Sequence, residues 1–226
     1  MKIAILGTGT VGRTLAARLD GLGHDVMVGT RAPAPTLERQ GKDAMGNPAF
    51  SAWLAEHPQV ALGSFAEAAA HGEIVVNATN GFASIDALTL AGADNLAGKV
   101  LLDVANALDF SHGMPPTLFV KDTDSLAEQI QRAFPEALVV KSLNTMTAAV
   151  MVDPVKVAGG DHSTFVSGND DTAKATVMTL LDSMGHTDVI DLGDITTACG
   201  AEMLMPIWLR LWGTLGTGMF NFKIAR

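Results

Sequence analysis

The chain opens on an apolar run, Lys2-Ile3-Ala4-Ile5-Leu6, that leads directly into Gly7-Thr8-Gly9-Thr10-Val11-Gly12. In a strand–turn–helix junction each glycine has its own task. The first makes the tight turn, the second lets a pyrophosphate approach the backbone, and the third lets helix and strand pack closely. The helix expected over Thr10–Leu22 offers free N–H groups and a positive dipole end at the same place. A second apolar strand, Asp25–Gly29, follows Gly23-His24. This context, more than the glycine pattern alone, marks a dinucleotide-binding turn; the bland alternative is a glycine turn that holds no ligand.

The end of the second strand decides which dinucleotide. An NAD site wants a carboxylate there for the ribose hydroxyls. This chain has Val28-Gly29-Thr30-Arg31, with no acidic residue until Glu38. Thr30 can donate its hydroxyl to a 2′-phosphate, and Arg31 can pair with that phosphate and stack on the adenine. NADP(H) is therefore favoured over NAD(H), unless Arg31 is only a solvated loop charge.

At 226 residues, 48% hydrophobic and 17% charged, the chain can bury a sizeable core, which excludes disorder. A net charge of -9 argues against nucleic acid held on a basic face. The one cysteine, Cys199, rules out an intramolecular disulfide and a cysteine-based zinc site, and reads as a small buried hydrophobe. With no tyrosine, every mechanism built on a tyrosine acid is excluded. The N-terminal apolar stretch is too short for a signal peptide. The most apolar segment, 203–220, is broken by Pro206, Arg210 and three glycines, which suits a buried helix or subunit contact better than a membrane span. The expectation is a cytoplasmic protein with no membrane partner, and the apolar last helix makes a homodimer plausible.

Short apolar strands alternate with amphipathic helices. Strands are expected at Gln59–Leu62, Glu73–Ala78, Val100–Val104, Leu138–Ser142, Thr164–Ser167 and Asp188–Leu192. Helices are expected at Pro48–Glu56 (capped by Asn47), from Ser64 through Ala70, and at Ile85–Ala91, Ser125–Phe134 and Asp170–Met184. Residues 31–46 and the stretch through Pro115-Pro116 read as loops, and everything from about Ile195 as helical. Repeated strand–helix units with near-continuous apolar strands imply an α/β fold, a Rossmann-type, doubly wound, mostly parallel sheet with a small C-terminal helical part. We divide it at residue 155, into a dinucleotide-binding domain (1–155) and a small C-terminal domain (156–226) that forms a cleft for an acceptor.

Three loops should ring the crevice beyond the strand ends: Asn77-Ala78-Thr79-Asn80, Asp103-Val104-Ala105-Asn106 and Leu143-Asn144-Thr145. Asn77, Asn106 and Asn144 are the candidates for the nicotinamide half, although Asn and Thr also cap turns for purely structural reasons. The six histidines are scattered. His112 lies near the crevice and reads as a solvated loop residue rather than an acid. Only about 35 residues follow Leu192, so a second substrate must sit in a shallow cleft. A flat redox molecule stacked on nicotinamide suits it, because hydride transfer between two rings needs proximity and orientation, with the reacting atoms about 3–3.5 Å apart. Trp208, Trp212 and Met219 are available to build that pocket; for the two tryptophans, core or dimer contact is the alternative.

The chain resembles the coenzyme F420-dependent NADP oxidoreductases (8-hydroxy-5-deazaflavin:NADPH oxidoreductases) over nearly its whole length. The likeness rests on Met1–Gly12, on Leu22-Gly23-His24-Asp25 through Val28-Gly29-Thr30-Arg31, on Val140-Lys141-Ser142-Leu143-Asn144-Thr145, and on Phe220-Asn221-Phe222-Lys223-Ile224. It implies direct hydride transfer between NADPH and a deazaflavin such as F420. It places NADP contacts on Gly7, Thr8, Gly9, Thr10, Val11, Gly12, Thr30 and Arg31, and on Thr79, Asn106, Ala148 and Phe220. The sequence departs from the family where a second basic residue often follows the arginine (here Ala32-Pro33), and where archaeal members carry a histidine (here Asn144). Related domains serve flavin-linked ferric reduction, so the dinucleotide half alone does not name the acceptor. The rival expectations are an NADPH-dependent reductase of flavin, ferric chelate or a small carbonyl or imine, and a non-enzymatic NADP(H) sensor.

Overall fold

The computed structural model describes residues 1–43 and 46–226. In chain order the elements are β1 (Lys2–Leu6), α1 (Thr10–Gly21), β2 (Asp25–Thr30), α2 (Pro33–Glu38), α3 (Phe50–Glu56), β3 (Ala61–Ser64), α4 (Phe65–His71), β4 (Ile74–Asn77), α5 (Ser84–Ala91), α6 (Ala93–Leu96) and β5 (Val100–Asp103). They continue as β6 (Leu108–Asp109), β7 (Thr117–Leu118), α7 (Leu126–Ala133), β8 (Leu138–Ser142), α8 (Ala148–Val152), β9 (Ser163–Gly168), α9 (Asp171–Met184), β10 (Asp188–Gly193), α10 (Ala198–Glu202) and α11 (Met205–Leu215).

Eight strands form one sheet in the order β10-β9-β8-β5-β4-β1-β2-β3. All neighbouring pairs are parallel except β8 and β9, so β10 and β9 run against the rest. Strand alternation splits the core into two layers. Ile3, Ile5, Val26 and Val28 pack with Leu15 and Leu19 of α1 and with Val177 and Leu181 of α9. Ala4, Leu6 and Val75 pack on the other face with Ala68, Leu88 and Ile130 of α4, α5 and α7. Each large side chain buried this fully contributes roughly 1.5–3 kcal/mol. This is the Rossmann-type α/β arrangement expected, with the helical C-terminal part present. A third, smaller cluster joins Met205, Trp208 and Leu209 of α11 to Leu118, Phe220 and Phe222. No helix among the described residues is long and apolar enough to cross a membrane.

Five local expectations need correction. The stretch read as a loop through Pro115-Pro116 holds the antiparallel ribbon of β6 and β7, whose strands of two residues each are too short to show alternation. The segment read as a loop over 31–46 contains α2, because Pro33 and Pro35 sit in the first turn of a six-residue helix, where a missing N–H costs nothing; Ala44 and Met45 of that stretch lie outside the described residues. The helix expected from Pro48 begins at Phe50, because the Asn47 side chain is drawn to Thr10 and Asp43 instead of capping it. The third strand is Ala61–Ser64, displaced from 59–62. The tail is not helical throughout: Gly216 ends α11 in the left-handed region (φ 65°), and the residues beyond it form neither helix nor strand and reach β9, where the Ser163 N–H donates to the Phe222 carbonyl.

Candidate functional site

The strand order reverses at β1, with β2 and β3 to one side and β4, β5 and β8 to the other. A crevice opens outside the C-terminal ends of strands at such a switch point. The glycine turn leaves β1 there. Gly7 has φ +126°, and a Cβ on it would lie 2.5 Å from the Ala78 carbonyl oxygen. A Cβ on Gly12 would collide with the Gly7 carbonyl oxygen. Gly9 is different: its backbone is extended (φ -76°, ψ -176°), and a Cβ on it would meet nothing within 4 Å. No side chain caps α1, so its first N–H groups face this open space. The turn is tight where helix and strand meet and open where a pyrophosphate would lie, so the residues fit a dinucleotide.

Arg13 braces the turn, a role the sequence did not disclose. Its Nε donates to the Thr8 carbonyl at 2.8 Å and its Nη1 to the Pro48 carbonyl at 2.6 Å, while the guanidinium lies 5.3 Å from the Phe50 ring centre. Burial pushes its pKa down, and the Asp43 charge opposes that. Asn47 adds a bond from Nδ2 to Thr10 Oγ1 at 2.6 Å.

At the end of β2, Thr30 is buried and Arg31 exposed. Thr30 Oγ1 lies 3.0 Å from Thr36 Oγ1, and the Thr36 hydroxyl donates to the Ala32 carbonyl at 2.8 Å. The proton between the two threonines therefore comes from Thr30.

Across the switch point, Val11, Thr79, Asn106, Asn144 and Ala148 share a crevice of about 310 Å³ with Trp208. Asn106 and Asn144 grip each other: Asn106 Nδ2 donates to the Asn144 carbonyl at 2.8 Å, and Asn144 Nδ2 donates to Asn106 Oδ1 at 3.0 Å. Asn144 Nδ2 also reaches the Ala201 carbonyl at 3.1 Å, tying β8 to α10. Asn77 lies beneath the crevice rather than in its lining. Its Nδ2 donates to Ser84 Oγ and Asp103 Oδ1, and its Oδ1 accepts from the Thr79 hydroxyl at 2.6 Å. Phe220 sits behind Trp208, with ring centres 5.2 Å apart. Trp212 and Met219 are partly exposed outside this lining.

Below the crevice lies an ionic cluster that the sequence reading did not single out. Lys141 Nζ is 2.7 Å from Asp103 Oδ2, 2.8 Å from Glu202 Oε1 and 2.5 Å from the Ala105 carbonyl oxygen. All three side chains are buried. Burial opposes the lysine charge, but the two carboxylates outweigh it and hold the Lys141 pKa above its ordinary value. Glu202 also accepts from the Leu126 and Ala127 N–H groups at 2.9 and 3.2 Å, satisfying the N-terminus of α7. The available signal was a lysine in an otherwise apolar strand, Leu138-Val139-Val140-Lys141.

His112 is exposed in the β6–β7 connection. Cys199 is buried, its thiol donates to the Asp122 carbonyl at 3.2 Å, and burial followed by four nearby carboxylates pushes its pKa up. Such a thiol is a poor nucleophile.

His186 supports the crevice from below, with Nε2 2.8 Å from the carbonyl of Met151, a lining residue, and Nδ1 2.9 Å from Thr164 Oγ1. Burial is the main cause that pushes its pKa down; the Met151 carbonyl opposes this and His162 adds to it. The unfolded histidine binds its proton near pH 6.5 and the folded one only at lower pH. The resulting stability is whole above about pH 6.5 and is lost as pH falls below it, by at most about 1.4 kcal/mol per pH unit. Urea midpoints between pH 7.5 and 5.5 should fall less steeply in His186→Gln than in the unaltered protein; equal slopes would refute this.

Comparison with known proteins agrees with this geometry. Residues 2–107 match the family model described as NADP oxidoreductase, coenzyme F420-dependent. A crystal structure from Arthrobacter sp. FB24, of a protein provisionally named an F420-dependent NADP-reductase, is 68% identical, with a TM-score of 0.96 and full coverage of both chains. The F420-dependent NADP reductase of Methanocaldococcus jannaschii is 27% identical over 229 residues, covering 97% of each chain. Metalloreductase STEAP3 of Rattus norvegicus is 31% identical over 227 residues; 97% of this chain aligns, but it spans only 40% of that protein's length. The glycine turn, the strand order and these likenesses agree: the chain belongs to the coenzyme F420-dependent NADP oxidoreductase family and is an NADP-dependent oxidoreductase.

Proposed function

We propose that the protein exchanges a hydride between NADPH and a deazaflavin of the F420 type. The observation that carries this is the crevice lining. Among the described residues it is built from small, apolar and amide side chains and contains no ionisable group. Reduction of a carbonyl or imine calls for a proton donor at the reacting atom. Exchange between two flat rings asks only for proximity and orientation. Bound NADPH would supply the hydride. Thr8–Gly12 would seat its pyrophosphate, Arg31 would reach the 2′-phosphate, Thr30 would fix the end of β2 by donating to Thr36, and Asn106 and Asn144 would face the nicotinamide half, with Asn77 holding Thr79 from below. Trp208, backed by Phe220, would wall the acceptor side. On this reading residues 1–155 hold the nucleotide, while 156–226 supply the acceptor wall.

The test is turnover of NADPH with F420, followed at the deazaflavin absorbance band. No turnover with F420 alongside turnover with FMN or a ferric chelate would replace this reading by the second one, which the likeness to a metalloreductase favours. NADPH binding with no acceptor reduced would leave a sensor. Loss of the Arg31 guanidinium in Arg31→Ala should cost about 1.5–3 kcal/mol in NADPH affinity and little in NADH affinity. Calorimetric titration checks this, and equal losses would make Arg31 a structural residue. Ile207, Trp212 and Leu215 of α11 are exposed, and a homodimer through that helix is part of the proposal. Light scattering at the monomer mass would remove that part.

A further inference from the structure

Resting on the NADP reading above, we infer that Arg39 and Lys42 join Arg31 in holding the 2′-phosphate. Helix α2 turns the chain back after β2, so the residues beyond it face the glycine turn. Arg39 and Lys42 line a cleft of about 380 Å³ whose other wall includes Thr8 and Gly9. Arg31 is not part of that lining.

Donor accounting supports the assignment. A phosphate dianion needs cations and N–H or O–H donors. The Thr36 hydroxyl in the cleft spends its proton on the Ala32 carbonyl, and the Thr30 hydroxyl spends its own on Thr36. Arg13, also in the lining, is held by the Thr8 and Pro48 carbonyls. The acidic member of the lining, Asp43, accepts from the Asn47 N–H at 2.9 Å and from Asn47 Nδ2 at 2.9 and 3.2 Å. Arg39 and Lys42 are exposed, and neither makes an ion pair among the described residues. They are the cations free to turn to a ligand there. Arg39 brings a planar fork that matches two phosphate oxygens, and Lys42 a point charge. The second basic residue missing directly after Arg31 is thus supplied from beyond the helix.

Calorimetric titration with NADPH, NADH, 2′,5′-ADP and ADP tests the assignment. Both side chains are exposed, so Arg39→Gln should melt at the temperature of the unaltered protein. It should bind NADPH and 2′,5′-ADP about tenfold or more weakly and bind NADH and ADP as before. Arg39→Lys should recover only part of the loss, and Lys42→Gln should lose less than Arg39→Gln. Arg39→Gln binding 2′,5′-ADP within twofold of the unaltered protein, or losing ADP affinity equally, overturns the inference while the NADP reading stands. Unaltered protein that binds ADP as tightly as 2′,5′-ADP overturns both.

Discussion

Lys141→Met is expected to destabilise the protein by about 3–5 kcal/mol, a large share of the roughly 5–15 kcal/mol that holds a domain folded. Methionine fills the volume of the lysine stem, so the loss is electrostatic. It leaves Asp103 and Glu202 buried, with the cation 2.7 and 2.8 Å from them gone. Both carboxylates keep other duties. Asp103 Oδ1 receives the Asn77 amide at 2.8 Å and the Ala105 N–H at 3.2 Å, while Glu202 caps α7. The damage should therefore spread to the crevice, because Ala105 and Asn77 position Asn106 and Thr79. Urea denaturation measures the effect. The triple change Lys141→Met, Asp103→Asn, Glu202→Gln removes all three charges and keeps an acceptor oxygen at each amide, so it should recover at least half of the loss. A single change costing under about 1 kcal/mol would show that the cluster holds nothing together. The Lys141 pKa stands above its ordinary value, so the lysine's contribution is whole below the unfolded pKa of about 10.4 and is lost only as pH rises through the folded one.

That cluster also marks where sequence reading stops. The glycine turn and the strand Lys2–Leu6 were legible because glycine at fixed spacing and a continuous apolar run each have one physical use here. The ionic cluster joins residues 103, 141 and 202, and only the pairing of β5 with β8, which sets Asp103 opposite Lys141, brings the first two together. Helix α2 was hidden by its own prolines, and the β6–β7 ribbon by strands too short to show any alternation. Asn77 illustrates the ambiguity of type. An amide after a strand suits a ligand or a turn equally well, and here both ends of it are engaged by Ser84, Asp103 and Thr79. Arg13 was invisible for a similar reason: its partners at Thr8 and Pro48 are backbone carbonyls, which carry no residue-type signature.

Gly9→Asp should separate fold from function most sharply. At Gly9 the backbone is extended and a Cβ meets nothing within 4 Å, so an aspartate enters without strain. It occupies the cap position of α1, where a side-chain oxygen accepts N–H groups that now have no cap, and its charge suits the helix dipole. Those two effects should leave stability unchanged or raise it by up to about 1 kcal/mol. The same N–H groups are the ones a pyrophosphate would use. The carboxylate takes them and adds a negative charge where the ligand is negative. Loss of two charge-assisted bonds at about 1.5–3 kcal/mol each amounts to a fall of more than about a hundredfold in NADPH affinity, before repulsion is counted. Gly12→Asp makes the contrast, since its Cβ collides with the Gly7 carbonyl and it should lose stability as well. A well-folded Gly9→Asp protein that binds NADPH within threefold of the unaltered one would place the nucleotide elsewhere on the molecule.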